Sequence, residues 1–129
     1  MTTWLNLVSV AAGGAIGSVL RYLITLVSTS IPGGSTMLGT TAANVLGCAA
    51  IGAFAEYVVL AGDISEHAQL AIRVGVLGGL TTFSTFALES VVLADTGRWQ
   101  LSGLYVLANL IIGWVALMAA ATLVKGWMT

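Results

Sequence analysis

The chain has 129 residues, 58% of them hydrophobic and only 7% charged, with a formal net charge of −1. Soluble domains carry about 25% charged residues, so four Lys/Arg and five Asp/Glu side chains cannot clothe a water-facing surface. That excludes an ordinary soluble protein, a disordered chain and a nucleic-acid binder, whose footprint is a basic patch. It leaves an integral membrane protein, expected as a single domain over 1–129.

Crossing the hydrocarbon takes about 20 apolar residues. The pattern predicts four spans, at about 4–29, 36–58, 68–94 and 99–125. The first 20 residues hold no Lys or Arg, so the basic start of a secretory signal is missing and the segment is expected to stay as a helix. Gly13-x-x-x-Gly17 fits the small-xxx-small pattern of close helix contact. Arg21 sits near the end of this span. It reads either as an anchor that snorkels to the interface or as a charge lining an aqueous entrance that attracts anions.

Ile31-Pro32-Gly33-Gly34-Ser35 separates spans one and two, since Pro and paired Gly punctuate helices. In span two, Thr40 and Asn44 are four apart and share a face that Gly47 and Ile51 continue. Asn44 either makes an interhelical hydrogen bond or points two N–H donors into a narrow path. Ala43-x-x-x-Gly47 is another small-residue pair. Cys48 is the only cysteine, so no internal disulfide or cysteine-based metal cluster is expected, and it reads as a small packing residue.

Asp63, with Glu66 three residues on, predicts a capping box opening span three. The only histidine, His67, is expected to be solvated. Near the middle of the span lies Gly78-Gly79-Leu80-Thr81-Thr82-Phe83-Ser84-Thr85-Phe86. Paired glycines and clustered hydroxyls are poor material for a straight helix in lipid, where irregular backbone survives only inside protein or beside water. A broken helix is predicted, freeing carbonyls for a cation and N–H groups for an anion. The alternative is a helix bent by Ser/Thr back-bonding. Glu89 is expected to pair with Arg73 or another cation, or to accept hydrogen bonds at a pore mouth.

Asp95-Thr96-Gly97-Arg98 turns the chain into span four, where Tyr105, Asn109 and Gly113 recur every four residues on one face. Tyr105 and Asn109 either donate along a path or make a polar contact with Asn44. Trp4, Tyr22, Tyr57, Trp99 and Trp127 fall near span ends, as interfacial aromatics do.

Four spans put both ends of the chain on one side. That side has Arg73 and Lys125, and the other has Arg21 and Arg98. Positive charge near span ends sets membrane orientation, and here it is balanced. Either the chain inserts both ways or a partner or the insertion machinery decides. Insertion both ways makes an antiparallel homodimer natural, with a two-fold axis in the membrane plane.

The polar groups of the spans are mostly neutral donors beside two Phe rings, whose edges are positive. That set suits a small hard anion and not a phosphate, which calls for Arg or Lys clamps. Other classes fare worse. A small four-span drug/proton antiporter needs a carboxylate in span one, which has none. One His, one Cys and no clustered carboxylates build neither a triad nor a metal-hydrolase site, and no Gly-x-x-x-x-Gly-Lys-Ser/Thr motif is present. A packing subunit of a larger complex is the remaining alternative.

The chain resembles, over essentially its whole length, the Fluc (CrcB) fluoride channels. The resemblance is carried by Gly13-Gly14-x-x-Gly17-x-x-x-Arg21-Tyr22, by Gly39-Thr40-x-x-x-Asn44-x-x-Gly47, and above all by Gly75-x-x-Gly78-Gly79-x-Thr81-Thr82-Phe83-Ser84-Thr85-Phe86-x-x-Glu89. It implies an all-α membrane protein with a broken third span, assembled as an antiparallel dual-topology homodimer in the lipid of the inner (plasma) membrane. It also implies two pores, each lined by both subunits, that export fluoride passively and select it over chloride. By the same resemblance Phe83 and Phe86 present ring edges, Asn44 donates its amide, Thr40 and Ser84 line the track, Tyr105 and Asn109 stand on span four, Glu89 lies near the far end and Arg21 near a vestibule. A structural sodium ion (Na+) is expected on the backbone carbonyls of Gly78 and Thr81. Where the family continues the span-four track with Ser or Thr, this chain has Asn109 and Gly113.

Overall fold

The computed structural model describes residues 2–129; Met1, which the single-domain expectation includes, lies outside them. Among the described residues all regular structure is helical. Helix α1 spans Thr2–Ser30, α2 Thr36–Ala61 and α3 Glu66–Leu70. A π-helical segment, Ala71–Leu77, follows, then α4 (Gly78–Leu80), α5 (Phe83–Asp95) and α6 (Trp99–Met128). Taken as one interrupted rod, Glu66–Asp95 is the third of four spans long and apolar enough to cross a membrane.

The helices overrun the hydropathic limits because caps, not hydrophobicity, end them. Ser35 opens α2 by accepting from Leu38 N–H, and Gly62 closes it at φ 71°, a left-handed conformation that glycine adopts without strain. The 29 residues of α1 rise about 43 Å, longer than the roughly 30 Å hydrocarbon core, so its ends reach the headgroups. The predicted capping box is displaced. Ser65, not Asp63, caps α3, accepting from Ala68 N–H at 3.4 Å, and this makes Glu66 the first helical residue, too early to close a box but well placed at the positive helix end. Glu66 accepts from Asn6 Nδ2 at 3.3 Å, and Asn6 Oδ1 bonds His67 Nδ1. His67 is therefore engaged with α1 rather than simply solvated.

Large apolar side chains cover the outside, and among the described residues only Leu93 is a fully buried large one. In lipid an exposed Leu meets its own kind, so contact comes from close backbone approach. The Gly13-x-x-x-Gly17 pair of α1 meets the third span from Ala71 to Leu80. A side chain at Gly13 would strike the Ala71 carbonyl, one at Gly17 the Val76 carbonyl, and one at Gly79 the Gly14 carbonyl. The extra girth of the π-helical turns lies where α1 has no side chains to obstruct it. Ala43, Leu77 and Leu80 form the small buried centre beside Gly47, whose missing side chain is replaced by that of Thr81.

Candidate functional site

The third span breaks at two threonines. Thr81 ends α4 in an extended conformation (φ −80°, ψ 153°), and Thr82 is extended too (φ −147°, ψ 115°). In a continuous helix the Thr82 N–H would bond to the Gly78 carbonyl. Here it donates to Asn44 Oδ1 at 2.7 Å, while Asn44 Nδ2 donates to the Thr82 carbonyl at 3.2 Å. One side-chain amide from α2 thus holds both backbone groups at the break and meets the demand that buried backbone be paired. The Thr82 hydroxyl then caps α5, accepting from Thr85 N–H at 3.2 Å.

Paired glycines do not cause the interruption. Gly78 and Gly79 are helical, and Gly79 serves close packing on α1. The hydroxyls do it, because they offer the backbone local partners that compete with the helix.

Beyond the break runs an aromatic row. The Phe83 and Phe86 rings lie 5.6 Å apart, tilted at 58°, and Phe86 and Tyr105 lie 5.5 Å apart at 47°. Tilted pairs set the positive edge of one ring toward the negative face of the next. Phe86 is buried, whereas Phe83 is 75% exposed. The row ends on Glu89, whose Oε2 accepts from the Tyr105 hydroxyl at 2.7 Å. Glu89 thus accepts a hydrogen bond, the second of its two expected roles, and Arg73 stands across the break in the π-helical segment.

Asn109 is buried on α6. Its Nδ2 donates to Thr41 Oγ1 at 3.0 Å and to the Tyr105 carbonyl at 3.1 Å, and its Oδ1 faces Asn44 Nδ2 at 3.5 Å. The polar contact between Asn44 and span four therefore forms. Asn44, Asn109, Thr82, Phe83 and Phe86 line one open cavity of about 380 Å³, together with Gly78 and Thr81. Arg21 lies in a second cavity, of about 300 Å³, with Thr40, Thr82 and Thr85. Thr82 belongs to both, so the break separates a polar hollow from an aromatic one. Ser84 is exposed, with its Oγ 3.5 Å from Thr82 Oγ1. Gly113 lies apart from these groups, against Cys48, whose Sγ stands 3.3 Å from where a side chain would begin.

A family model for CrcB-like protein, Camphor Resistance (CrcB), matches residues 8–121. This chain belongs to the CrcB family. It is similar to the protein named Fluoride-specific ion channel FluC in Rhodopirellula baltica, with 42% identity over 98% of this chain and 99% of the relative. It is similar also to the proteins of that name in Agrobacterium fabrum, with 41% identity over 92% and 95%, and in Roseiflexus sp., with 38% over 84% and 88%. The four spans and the family make it a multi-pass membrane protein, and in bacteria such as these that membrane is the plasma membrane.

The structure thus gathers Asn44, Asn109, Thr40, Ser84, Phe83, Phe86, Tyr105 and Glu89 around the break, with Arg21 on its polar side. Three participants escaped the sequence: Thr82, as clasp point and cap, Thr41, as the acceptor behind Asn109, and Thr85, in the polar hollow. A signal for Thr82 was present, since a threonine where a helix restarts is a natural N-cap.

Proposed function

We propose that this chain is a passive fluoride-selective channel, working as an antiparallel dual-topology homodimer with two pores. Membership of a family whose curated relatives are named as fluoride-specific ion channels supports the coarse statement, a channel and not an enzyme. The observation that carries the finer one is the row Phe83–Phe86–Tyr105–Glu89 beside a clasped helix break. The Phe ring edges there are positive without carrying a full charge, which lets an anion leave as readily as it enters. Thr40 and Ser84 belong to the polar track, and Asn44 and Asn109 border it, with the amide hydrogens of both engaged within the protein. Arg21 draws anions into the polar hollow. Glu89 orders the Tyr105 hydroxyl at the far end.

The exposed Phe83 ring supports assembly with a second copy, because a ring edge that coordinates a dehydrated ion needs cover from both sides. The balanced placement of Arg73 and Lys125 against Arg21 and Arg98 supports the antiparallel arrangement. A sodium ion fits the break. The Thr82 N–H is spent on Asn44, so the Gly78 carbonyl lacks its helical donor, and carbonyl oxygens are the hard ligands a hard cation takes. Gly78 is also exposed. The carbonyls of Gly78 and Thr81 would hold the ion, which pins two copies together.

Fluoride enters a cell as its weak acid and dissociates inside. A negative-inside potential then drives the anion out through a passive pore, with about 2.3 kcal/mol per charge per 100 mV. The test is efflux from liposomes that contain only this protein. Fluoride efflux without a pH gradient, with chloride retained, is the expected result. Obligatory proton coupling, or no flux from a well-folded preparation, would reject the proposal.

A further inference from the structure

We propose that Asn109 is a positioning residue: with Thr41 behind it, it fixes the amide plane of Asn44, and through Asn44 the backbone of the break at Thr82. A backbone N–H only donates, so the Asn44 atom 2.7 Å from Thr82 N is the amide oxygen, and Nδ2 faces the Thr82 carbonyl. The second Nδ2 hydrogen is directed at Asn109 Oδ1, 3.5 Å away. That orientation of Asn109 turns its own Nδ2 to Thr41 Oγ1 and to the Tyr105 carbonyl. The Thr41 hydroxyl donates to the Met37 carbonyl at 2.9 Å, so its oxygen is left as an acceptor. Each amide thus spends both hydrogens.

The opposite rotamer of Asn109 fails. It would set Nδ2 against Asn44 Nδ2 and Oδ1 against the Tyr105 carbonyl, two like pairs in a site where Asn109 is only 7% exposed. A Ser or Thr at 109 has one hydrogen and cannot serve Thr41 and the Tyr105 carbonyl together. An amide at 109 thus relays the anchored Thr41 hydroxyl to the clasp on the third span.

The consequence for conduction rests on the proposed channel; the consequence for the break does not. The test therefore has two readouts on the purified full chain: hydrogen exchange at the Thr82 amide, and fluoride and chloride efflux from liposomes. The variants are Asn109→Leu, Thr41→Val and Thr41→Ser. Asn109→Leu and Thr41→Val are expected to speed Thr82 exchange by about threefold to tenfold, the equivalent of one net hydrogen bond. Both should narrow the preference for fluoride over chloride. Thr41→Ser keeps the oxygen and should restore wild-type values of both.

Wild-type Thr82 exchange in both Asn109→Leu and Thr41→Val would overturn the positioning role, as would a Thr41→Ser variant that behaves like Thr41→Val. If Asn109→Leu does not fold, the Val and Ser pair decides alone. Wild-type protein that folds but passes no fluoride would overturn the channel and leave the exchange comparison to judge Asn109.

Discussion

Phe86→Ile and Phe83→Ile, compared side by side, separate ion coordination by ring edges from packing. Phe86 is 6% exposed and makes two aromatic pairs, with Phe83 and Tyr105, whereas Phe83 makes one and is mostly exposed. Each pair contributes about 0.5–1.5 kcal/mol beyond buried area. Isoleucine keeps most of the apolar surface, so Phe86→Ile is expected to lose about 1–3 kcal/mol and Phe83→Ile about half of that. The effect on flux is expected to run differently. Replacing one ring edge beside a dehydrated anion removes a contact comparable to a hydrogen bond to a charged group, about 1.5–3 kcal/mol. That raises the barrier enough to slow efflux by roughly tenfold to a hundredfold in both variants. The assay is electrode-monitored fluoride efflux from liposomes, normalised to folded protein, with unfolding measured in parallel. Wild-type flux in both variants would refute the ring-edge mechanism. So would flux losses that merely track the folded fraction, with Phe86→Ile much the worse.

Tyr105→Phe removes the donor to Glu89 and is expected to destabilise the fold by about 1.5–3 kcal/mol, the scale for a hydrogen bond to a charged group, with reduced flux. Glu89→Gln keeps an acceptor and should be milder by both measures. Gly75→Leu should abolish folding, judged by recovery of helical, monodisperse protein, because its first side-chain carbon would sit 2.8 Å from Gly13 Cα and 2.9 Å from the Val10 carbonyl. At Gly78 the first carbon would meet nothing nearer than the Arg73 carbonyl at 3.8 Å. Gly78→Ala should therefore fold as a single chain yet bind sodium and dimerise poorly, and a normal dimer that retains sodium would count against the ion site.

Much of the fold was legible because lipid imposes it. A run of about 20 apolar residues has few other destinations, and the turns at Pro32-Gly33 and Gly97 punctuate the runs. The break was legible from its hydroxyls, although the sequence pointed to the glycines with equal weight and only coordinates distinguish them. The start of the third span was misplaced by two residues. Ser65 and Asp63 are both able caps, and the winner depends on where the chain leaves α2, as do the His67 and Glu66 contacts with Asn6 on α1.

Sequence by itself determined the membrane class, the four spans, an interruption within Gly78–Phe86 and the kinds of donor present. These follow from composition and from spacing along one chain, where local chemistry decides. Only the tertiary structure decided who holds whom. Asn44 clasps Thr82 from 38 positions away, Asn109 reaches Thr41 across 68, and Glu89 meets Tyr105 rather than Arg73. An amide or a carboxylate has several possible partners of the right polarity, and helix packing alone brings one of them within hydrogen-bond distance.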